Sequence, residues 1–199
     1  VTSQGLPSFV VNQIPPTGTG VYAITRPEIY FGEANLDWVA VNTDQPEFSG
    51  LIDTSNPNNG SYAGAGAGSV TLDNYLKKMI VAIDLKESKL LTSGVINDKT
   101  RILLRRNIVE RAHEVAPFLT FDKDPYLVIA GGRLVWVIDA YTTSNRFPGA
   151  TSENGINYIR NSVKVTIDAY DGMMTFYRTA VADPIADAYG AVYPGLFKP

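Results

Sequence analysis

Runs of apolar residues, and runs that alternate apolar and polar residues, predict that the second half of the chain forms antiparallel hairpins. Such runs flank two short turns, Gly131-Gly132 and Asp171-Gly172, and two-residue turns of this composition typically close hairpins. The first turn predicts three cross-strand pairs: Ile129 with Leu134, Leu127 with Trp136, and Val128 with Val135. Because both faces of this hairpin are apolar, we expect it to lie centrally in a sheet.

The second hairpin is predicted to have one core face and one wetter face. A turn at Asp171-Gly172 pairs Ala169 with Met174 and Ile167 with Phe176 on the core side. The alternate positions fall on the wetter side: Thr166, Asp168, Tyr170, Met173, Thr175 and Tyr177.

Periodic apolar positions predict two helices, at Thr71–Leu85 and Asp98–Ala116. Start signals at Asp183 and Pro184 predict a third helix at Pro184–Ala191. The expected N-caps are Thr71 or Asp73, Asn97 or Asp98, and Asp183, respectively. The apolar stripe of the first helix recurs at three- and four-residue steps: Leu72, Tyr75, Leu76, Met79, Ile80 and Ile83. Pro117 should end the second helix, and Pro184 suits the first turn of the third.

The first third of the chain is predicted to be less regular. Short runs rich in β-branched and aromatic residues indicate strands at Val21–Thr25, Glu28–Phe31 and Asp37–Asn42. Proline and glycine predict an extended arm at residues 1–20, and glycine and asparagine a long mobile loop at 45–69. We therefore predict an α+β fold, a mainly antiparallel sheet built from hairpins with three helices packed on it, in a single domain spanning residues 1–199.

The amino-acid composition limits the classes of function and of binding site that the chain can have. The chain has 199 residues, of which 45% are hydrophobic, and a net charge of -3, so a sizeable core is expected and nucleic-acid binding is not. It contains no cysteine, which excludes disulfides and thiolate metal sites. No apolar run approaches the roughly 20 residues of a membrane span. Because the sequence starts without Met or a signal segment, we expect it to be part of a longer protein.

Carboxylates are the first candidates for chemistry. Asp122 and Asp124 stand in a turn before Pro125, where they could bind Ca²⁺ or Mg²⁺, or simply accept hydrogen bonds from turn amides. The turn is favoured, because hard cations need more oxygen ligands than this motif supplies. His113 is the single histidine and lies on a charged helix face, so a surface position is favoured over a metal or acid–base role.

Asp139 follows the apolar run 136–138 on a strand predicted to be central, so its carboxylate needs a partner. Arg160, Arg106 or Tyr141 could supply one. A structural role that ties strand to helix is favoured, and a functional cluster of Asp139, Arg106 and Arg160 is the alternative.

Glycine and arginine provide two further candidate motifs, each with a structural alternative. Gly64, Gly66 and Gly68 precede a helix but lack the GK[ST] ending of a phosphate loop, so an entry loop is favoured. The arginines of the second helix are expected to form surface or intramolecular ion pairs rather than an anion site: Arg101, Arg105, Arg106 and Arg111. With no complete catalytic constellation, we predict no catalytic residue and no cofactor.

Several long segments resemble uncharacterised protein family 0182: residues 26–33, 106–112, 116–128, 136–144, 157–172 and 183–185. The resemblance extends in order from about Gly5 to Phe197. It implies a bacterial multi-pass membrane protein in which this chain is an extracytoplasmic section at the cell membrane. It implies no activity, because the family has none assigned.

Two functional hypotheses follow. The first is a non-catalytic interaction domain that binds the membrane portion of its own parent chain or another envelope protein, in an oligomeric state left open. Its expected surface is aromatic: Tyr22, Tyr30, Trp38, Tyr62, Tyr158 and Tyr193. The alternative is an enzyme-like or ligand-binding unit that gathers Asp122, Asp124, Asp139 and an arginine in one cleft.

Overall fold

A computed structural model of the chain describes residues 20–34, 38–45, 62–64 and 68–199. The predicted arm at residues 1–20 lies outside the described residues except for Gly20. Most of the predicted loop at 45–69 also lies outside the described residues, because residues 46–61 and 65–67 are not described.

The described residues form two sheets, the smaller of which has three short strands. These are β1 (Val39–Val41), β2 (Ser69–Thr71) and β3 (Arg101–Leu103). Strand β3 lies in the middle and pairs antiparallel with both neighbours. One row across this sheet consists of Ala40, Ile102 and Val70, so these three side chains share a face.

The larger sheet has six strands: β4 (Thr120–Phe121), β5 (Tyr126–Ala130), β6 (Arg133–Ser144), β7 (Tyr158–Asp168), β8 (Met174–Arg178) and β9 (Phe197–Lys198). Its order is β4-β6-β7-β8-β9, and β5 also pairs with β6. All pairings are antiparallel except β8 with β9, which is parallel.

The structure assigns four helices to the described residues: α1 (Tyr75–Asp84), α2 (Lys89–Thr92), α3 (Ile108–Val115) and α4 (Pro184–Val192). Helix α4 begins after an Asp183 cap, as predicted. Together with the mainly antiparallel sheets, these helices confirm the predicted α+β class.

The hairpin of β5 and β6 confirms the first predicted register, because Ile129 faces Leu134, Leu127 faces Trp136 and Val128 faces Val135. The second register was wrong by two residues. Ile167 pairs with Met174 and Val165 with Phe176. The carboxylate of Asp168 accepts the backbone N–H groups of Tyr170 and Asp171 at 2.9 and 3.0 Å, so a longer Asp-capped turn replaces the two-residue one.

The predicted helix Asp98–Ala116 was wrong in its first half, where β3 lies instead. Arg105 has a left-handed backbone with φ of 53°, which a helix cannot accommodate. Asn107 then caps α3 by accepting the N–H groups of Val109 and Glu110 at 3.0 Å. Ile102 and Leu103 are both fully buried, so tertiary burial on two sides determines the strand.

The first two predicted strands were also wrong. Residues Gly20–Tyr22 form a single 3-10 turn instead of part of a strand at Val21–Thr25. At Glu28–Phe31, the N–H groups of Tyr30 and Phe31 both donate to the carbonyl of Ala169, which is a loop contact and not a ladder. The third prediction, Asp37–Asn42, holds for Val39–Val41, while Asp37 lies outside the described residues.

Two apolar cores follow from this arrangement. The main core packs the large sheet against α3 and includes Ile108, Ile138 and Val165. The second core packs α1 and α2 on one face of the small sheet, around Ile102. Since Leu103 belongs to the main core and Ile102 to the second, the small sheet separates the two.

Candidate interaction surface

Helix α1 has one side in the second core. Its cap is Asn74, whose side chain accepts the N–H of Lys77 at 2.9 Å, and not Thr71 or Asp73 as predicted. Val81 and Ala82 are buried against the small sheet. Val81 and Ala82 therefore mark the side of α1 that faces the protein.

The other side of α1 is apolar and exposed. Four large side chains project there with exposed fractions between 55% and 70%: Tyr75 70%, Leu76 60%, Ile80 55% and Ile83 68%. At about 100° per residue, they lie within one arc of the helix surface. We call these four residues the α1 face.

The α1 face was predicted to be the apolar stripe of a helix packed on the sheet, and for these four residues that packing was wrong. A helix that is apolar on two opposite sides has more apolar surface than one sheet can cover. Contiguous exposed apolar surface on the order of several hundred Å² marks interaction sites in soluble domains. The α1 face is the convex outer surface of a helix, which suits a macromolecular partner better than a small ligand.

The carboxylate candidates are held by neighbouring groups. Asp122 accepts the N–H of Asp124 at 3.1 Å and the hydroxyl of Tyr141 at 3.3 Å, the arrangement of a turn. Burial and the nearby carboxylate of Asp122 raise the pKa of Tyr141. Among the described residues, no three histidine or acidic side chains come together in a way that could hold a metal ion.

Asp139 pairs with a lysine that was not among its predicted partners. Lys164, directly opposite in register, forms an ion pair with its carboxylate, and Asn161 donates at 3.0 Å. Burial alone would raise the pKa of Asp139, but the hydrogen bonds from Lys164 and Asn161 outweigh it and lower the pKa. The same ion pair raises the pKa of Lys164.

The predicted cluster partners of Asp139 make other contacts. Arg160 lies opposite Thr142, and its guanidinium is 5.9 Å from the ring centre of Tyr158. Arg106 donates to the carbonyl of Tyr30 at 2.7 Å, and burial lowers its pKa. Asp139, Arg106 and Arg160 are therefore not brought together by hydrogen bonds or ion pairs.

The remaining helix candidates have structural contacts. Arg111 donates to the carbonyl of Gly172 at 3.2 Å, and Arg101 donates to the carbonyl of Gly64 at 2.9 Å. Arg105 forms an ion pair with Glu114, as predicted for this group. His113 packs edge-on against the ring of Phe121 at 6.3 Å.

The predicted aromatic surface is not continuous. Tyr62 is buried, and Tyr158 donates its hydroxyl to Asp183 at 2.8 Å. Trp38 packs against the second core, while Tyr22 and Tyr193 are exposed. The α1 face therefore replaces this set as the candidate interaction surface. In the sequence, the α1 face was indicated by the excess of apolar residues around this helix.

No helix among the described residues is long and apolar enough to span a bilayer. No solved structure matches the chain significantly. Curated relatives match it over its whole length: a UPF0182 protein of Clostridium acetobutylicum is 46% identical, one of Geobacter sp. strain M21 is 45% identical, and one of Clostridium botulinum strain Loch Maree is 46% identical. The chain covers 21%, 22% and 22% of these relatives, respectively.

The family model of UPF0182, an uncharacterised protein family, matches residues 1–199. The resemblance inferred from the sequence is thereby confirmed. The chain spans about a fifth of the length of its relatives and is a section of a larger protein type. It belongs to the uncharacterised protein family UPF0182.

Proposed function

We propose that this chain is a non-catalytic interaction section of a larger membrane protein, and that its α1 face docks on another part of the same parent polypeptide. The observation that carries the proposal is the exposure of Tyr75, Leu76, Ile80 and Ile83 on a helix whose opposite side is already buried. Covering four such side chains removes apolar surface from water, which is the main driving force for association.

The relative lengths of the proteins favour an occupant from the same polypeptide. About four fifths of each relative lies outside the region that matches this chain. A surface on the same polypeptide has a high effective concentration, so even a modest apolar face can stay docked. Another envelope protein or a second copy would be the alternative occupant.

The extracytoplasmic position at the cell membrane is part of the proposal. It rests on the family resemblance described from the sequence, which implies membrane-spanning helices elsewhere in the parent. The absence of cysteine from all 199 residues provides a direct way to test it, because any cysteine introduced into this section is unique there.

The test compares the labelling of Ile83→Cys and Lys89→Cys by a membrane-impermeant maleimide. Both positions are exposed in the structure of the chain, so both should react quickly in the isolated chain. In the full-length parent, with any other cysteines replaced, we expect Lys89→Cys to react in intact cells and Ile83→Cys to react at no more than roughly a tenth of its rate in the isolated chain.

Each part of the proposal can fail separately. Equal labelling of Ile83→Cys in the parent and in the isolated chain would contradict docking of the α1 face. Labelling of Lys89→Cys only after the membrane is permeabilised would contradict the extracytoplasmic position. Protection that depends on parent concentration would indicate a second copy and not a contact within one polypeptide.

A further inference from the structure

A shallow cavity that is open to solvent, with a volume of about 540 Å³, lies at one end of the small sheet. It is lined by residues from the β1, β2 and β3 regions and from the segment 62–64: Asn42, Tyr62, Ala63, Gly64, Thr71, Asp98, Lys99 and Arg101. A volume in this range suits a small organic molecule.

Tyr62 lines this cavity and carries a hydroxyl group that is shielded from solvent. The residue is only 3% exposed, and its hydroxyl has no hydrogen-bond partner among the described residues. Its ring is fixed by edge-to-face contact with Tyr30 and stacking on Tyr170, with centroids 4.9 and 5.1 Å away. A buried polar atom without a partner costs free energy, so a ligand that reaches this hydroxyl and accepts its hydrogen bond would relieve that cost.

The charge at the cavity favours an anion. Lys99 and Arg101 contribute two positive charges against the single negative charge of Asp98, whereas the whole chain carries -3. No carboxylate of a described residue lies within ion-pair distance of Lys99 or Arg101, unlike Arg133, Lys164 and Arg178, which are all paired. Arg101 is oriented by its bond to the carbonyl of Gly64 at 2.9 Å.

The protonation state of Tyr62 is consistent with donation to an anion. Burial, with a further contribution from Asp171, raises the pKa of Tyr62 to about 12. The hydroxyl therefore keeps its proton at neutral pH and can donate it. Arginine, lysine and a neutral phenol together form a donor set that matches carboxylate or phosphate oxygens.

We infer that this cavity binds a small organic anion through its carboxylate or phosphate group, with Lys99 and Arg101 providing charge and Tyr62 donating a hydrogen bond. The inference is independent of the proposed docking function, because none of the lining residues belongs to the α1 face.

The test is a titration of the 199-residue chain with citrate and with inorganic phosphate, followed by protein NMR, with sodium chloride at equal ionic strength as the reference. Saturable shifts of the Tyr62, Lys99 and Arg101 signals are expected with at least one of the two anions. Saturation by citrate alone identifies a carboxylate site, and saturation by phosphate alone a phosphate site.

Three variants make the test specific. Tyr62→Phe removes only the unpartnered hydroxyl, so it should keep the thermal midpoint or raise it while weakening binding about five- to tenfold. Lys99→Gln, at an exposed position, should weaken binding about fivefold or more without affecting folding. Lys89→Gln on α2 is the matched control and should bind as the unmodified chain does.

The inference would be overturned if neither anion gives a saturable change at millimolar concentration, or if Lys99→Gln and Lys89→Gln bind equally well. Unchanged binding by a folded Tyr62→Phe variant would exclude the hydroxyl from the site. Labelling of the α1 face is expected to be the same in all three variants, so failure here leaves the docking test unaffected.

Discussion

At the scale of single residues, Asp183 shows how a fully buried carboxylate is stabilised. Thr142 and Ser162, also fully buried, both donate hydroxyl hydrogen bonds to it. Tyr158 and the N–H of Ile185 add donors at 2.8 and 3.0 Å. Burial would raise the pKa of Asp183, but these hydrogen bonds, led by those of Ser162 and Thr142, outweigh burial and lower it.

Asp183→Asn should therefore reduce the free energy of unfolding at pH 7 by about 2–4 kcal/mol, because an amide N–H₂ would face donors. Urea denaturation measures this change. The control is Asp187→Asn, whose side chain is 68% exposed and pairs with Arg178; it should cost less than about 1 kcal/mol. Similar losses in both variants would contradict the role assigned to Asp183.

Asp183 should also make the free energy of unfolding depend on pH in a defined way. Because its folded-state pKa lies below the ordinary aspartate value of 3.8, the contribution of Asp183 is fully present above that value and is lost as the pH falls through the folded pKa. The stability difference between the unmodified chain and Asp183→Asn should therefore shrink below about pH 4. A difference that stays constant from about pH 7 to about pH 2.5 would show that the carboxylate charge is not involved.

Residue roles could be predicted from the sequence only where the partner is close in the chain. The cap at Asp183 and the turn at Asp122 involve neighbours two residues away, and both were expected. The ion pair of Asp139 with Lys164 depends on the register of β6 and β7, which spacing in the sequence does not determine. The unpartnered hydroxyl of Tyr62 was likewise invisible, because only folding buries it.

At the scale of elements, the hairpin of β5 and β6 was the most predictable part of the fold. The register of β5 and β6 is fixed by two glycines with left-handed φ of 58° and 79°. Strand β3 was mistaken for helix, because its partners β1 and β2 lie far away in sequence and Ile102 and Leu103 suit either structure. Helix propensity was overridden by burial on both sides of the small sheet.

The turn between β7 and β8 is also a core contact, which leads to a prediction for Gly172. Its φ is 71°, and a methyl group there would lie 2.7 to 2.8 Å from ring atoms of Phe31. Gly149 has φ of 75° but nothing within 4 Å of that position, so it is a matched control. Gly149→Ala should cost about 1–2 kcal/mol from backbone strain alone.

Gly172→Ala should cost about 1–3 kcal/mol more than Gly149→Ala, because the buried ring of Phe31 has to move. Urea denaturation of both variants checks the difference. Equal costs would mean that the turn does not pack on Phe31 as described.

The two sides of α1 make a second matched pair. Val81 is 7% exposed and Ile83 is 68% exposed, although they lie on the same helix only two positions apart. Val81→Ala should lower the free energy of unfolding of the isolated chain by about 2 kcal/mol. Ile83→Ala should change it by less than about 0.5 kcal/mol. Equal destabilisation, measured by urea denaturation, would contradict the orientation of α1.

At the scale of the whole molecule, the chain is a folded section that leaves one apolar helix face uncovered. The main core joins the large sheet to α3, and the second core uses only one side of α1. Large contiguous apolar surfaces of this kind often mark interaction sites. Because the chain covers only 21% of a relative's length, the parent polypeptide offers ample chain to cover this face, which is why it is proposed as the occupant.

Amide hydrogen exchange of α1 tests this account most directly and needs no substitution. We predict that residues Tyr75–Asp84 exchange at least roughly tenfold more slowly in the full-length parent than in the isolated chain, because docking suppresses local opening. Residues Ile108–Val115 of α3, already packed in the main core, should exchange at similar rates in both and serve as the internal reference. The same exchange rate for α1 in both proteins would contradict the account.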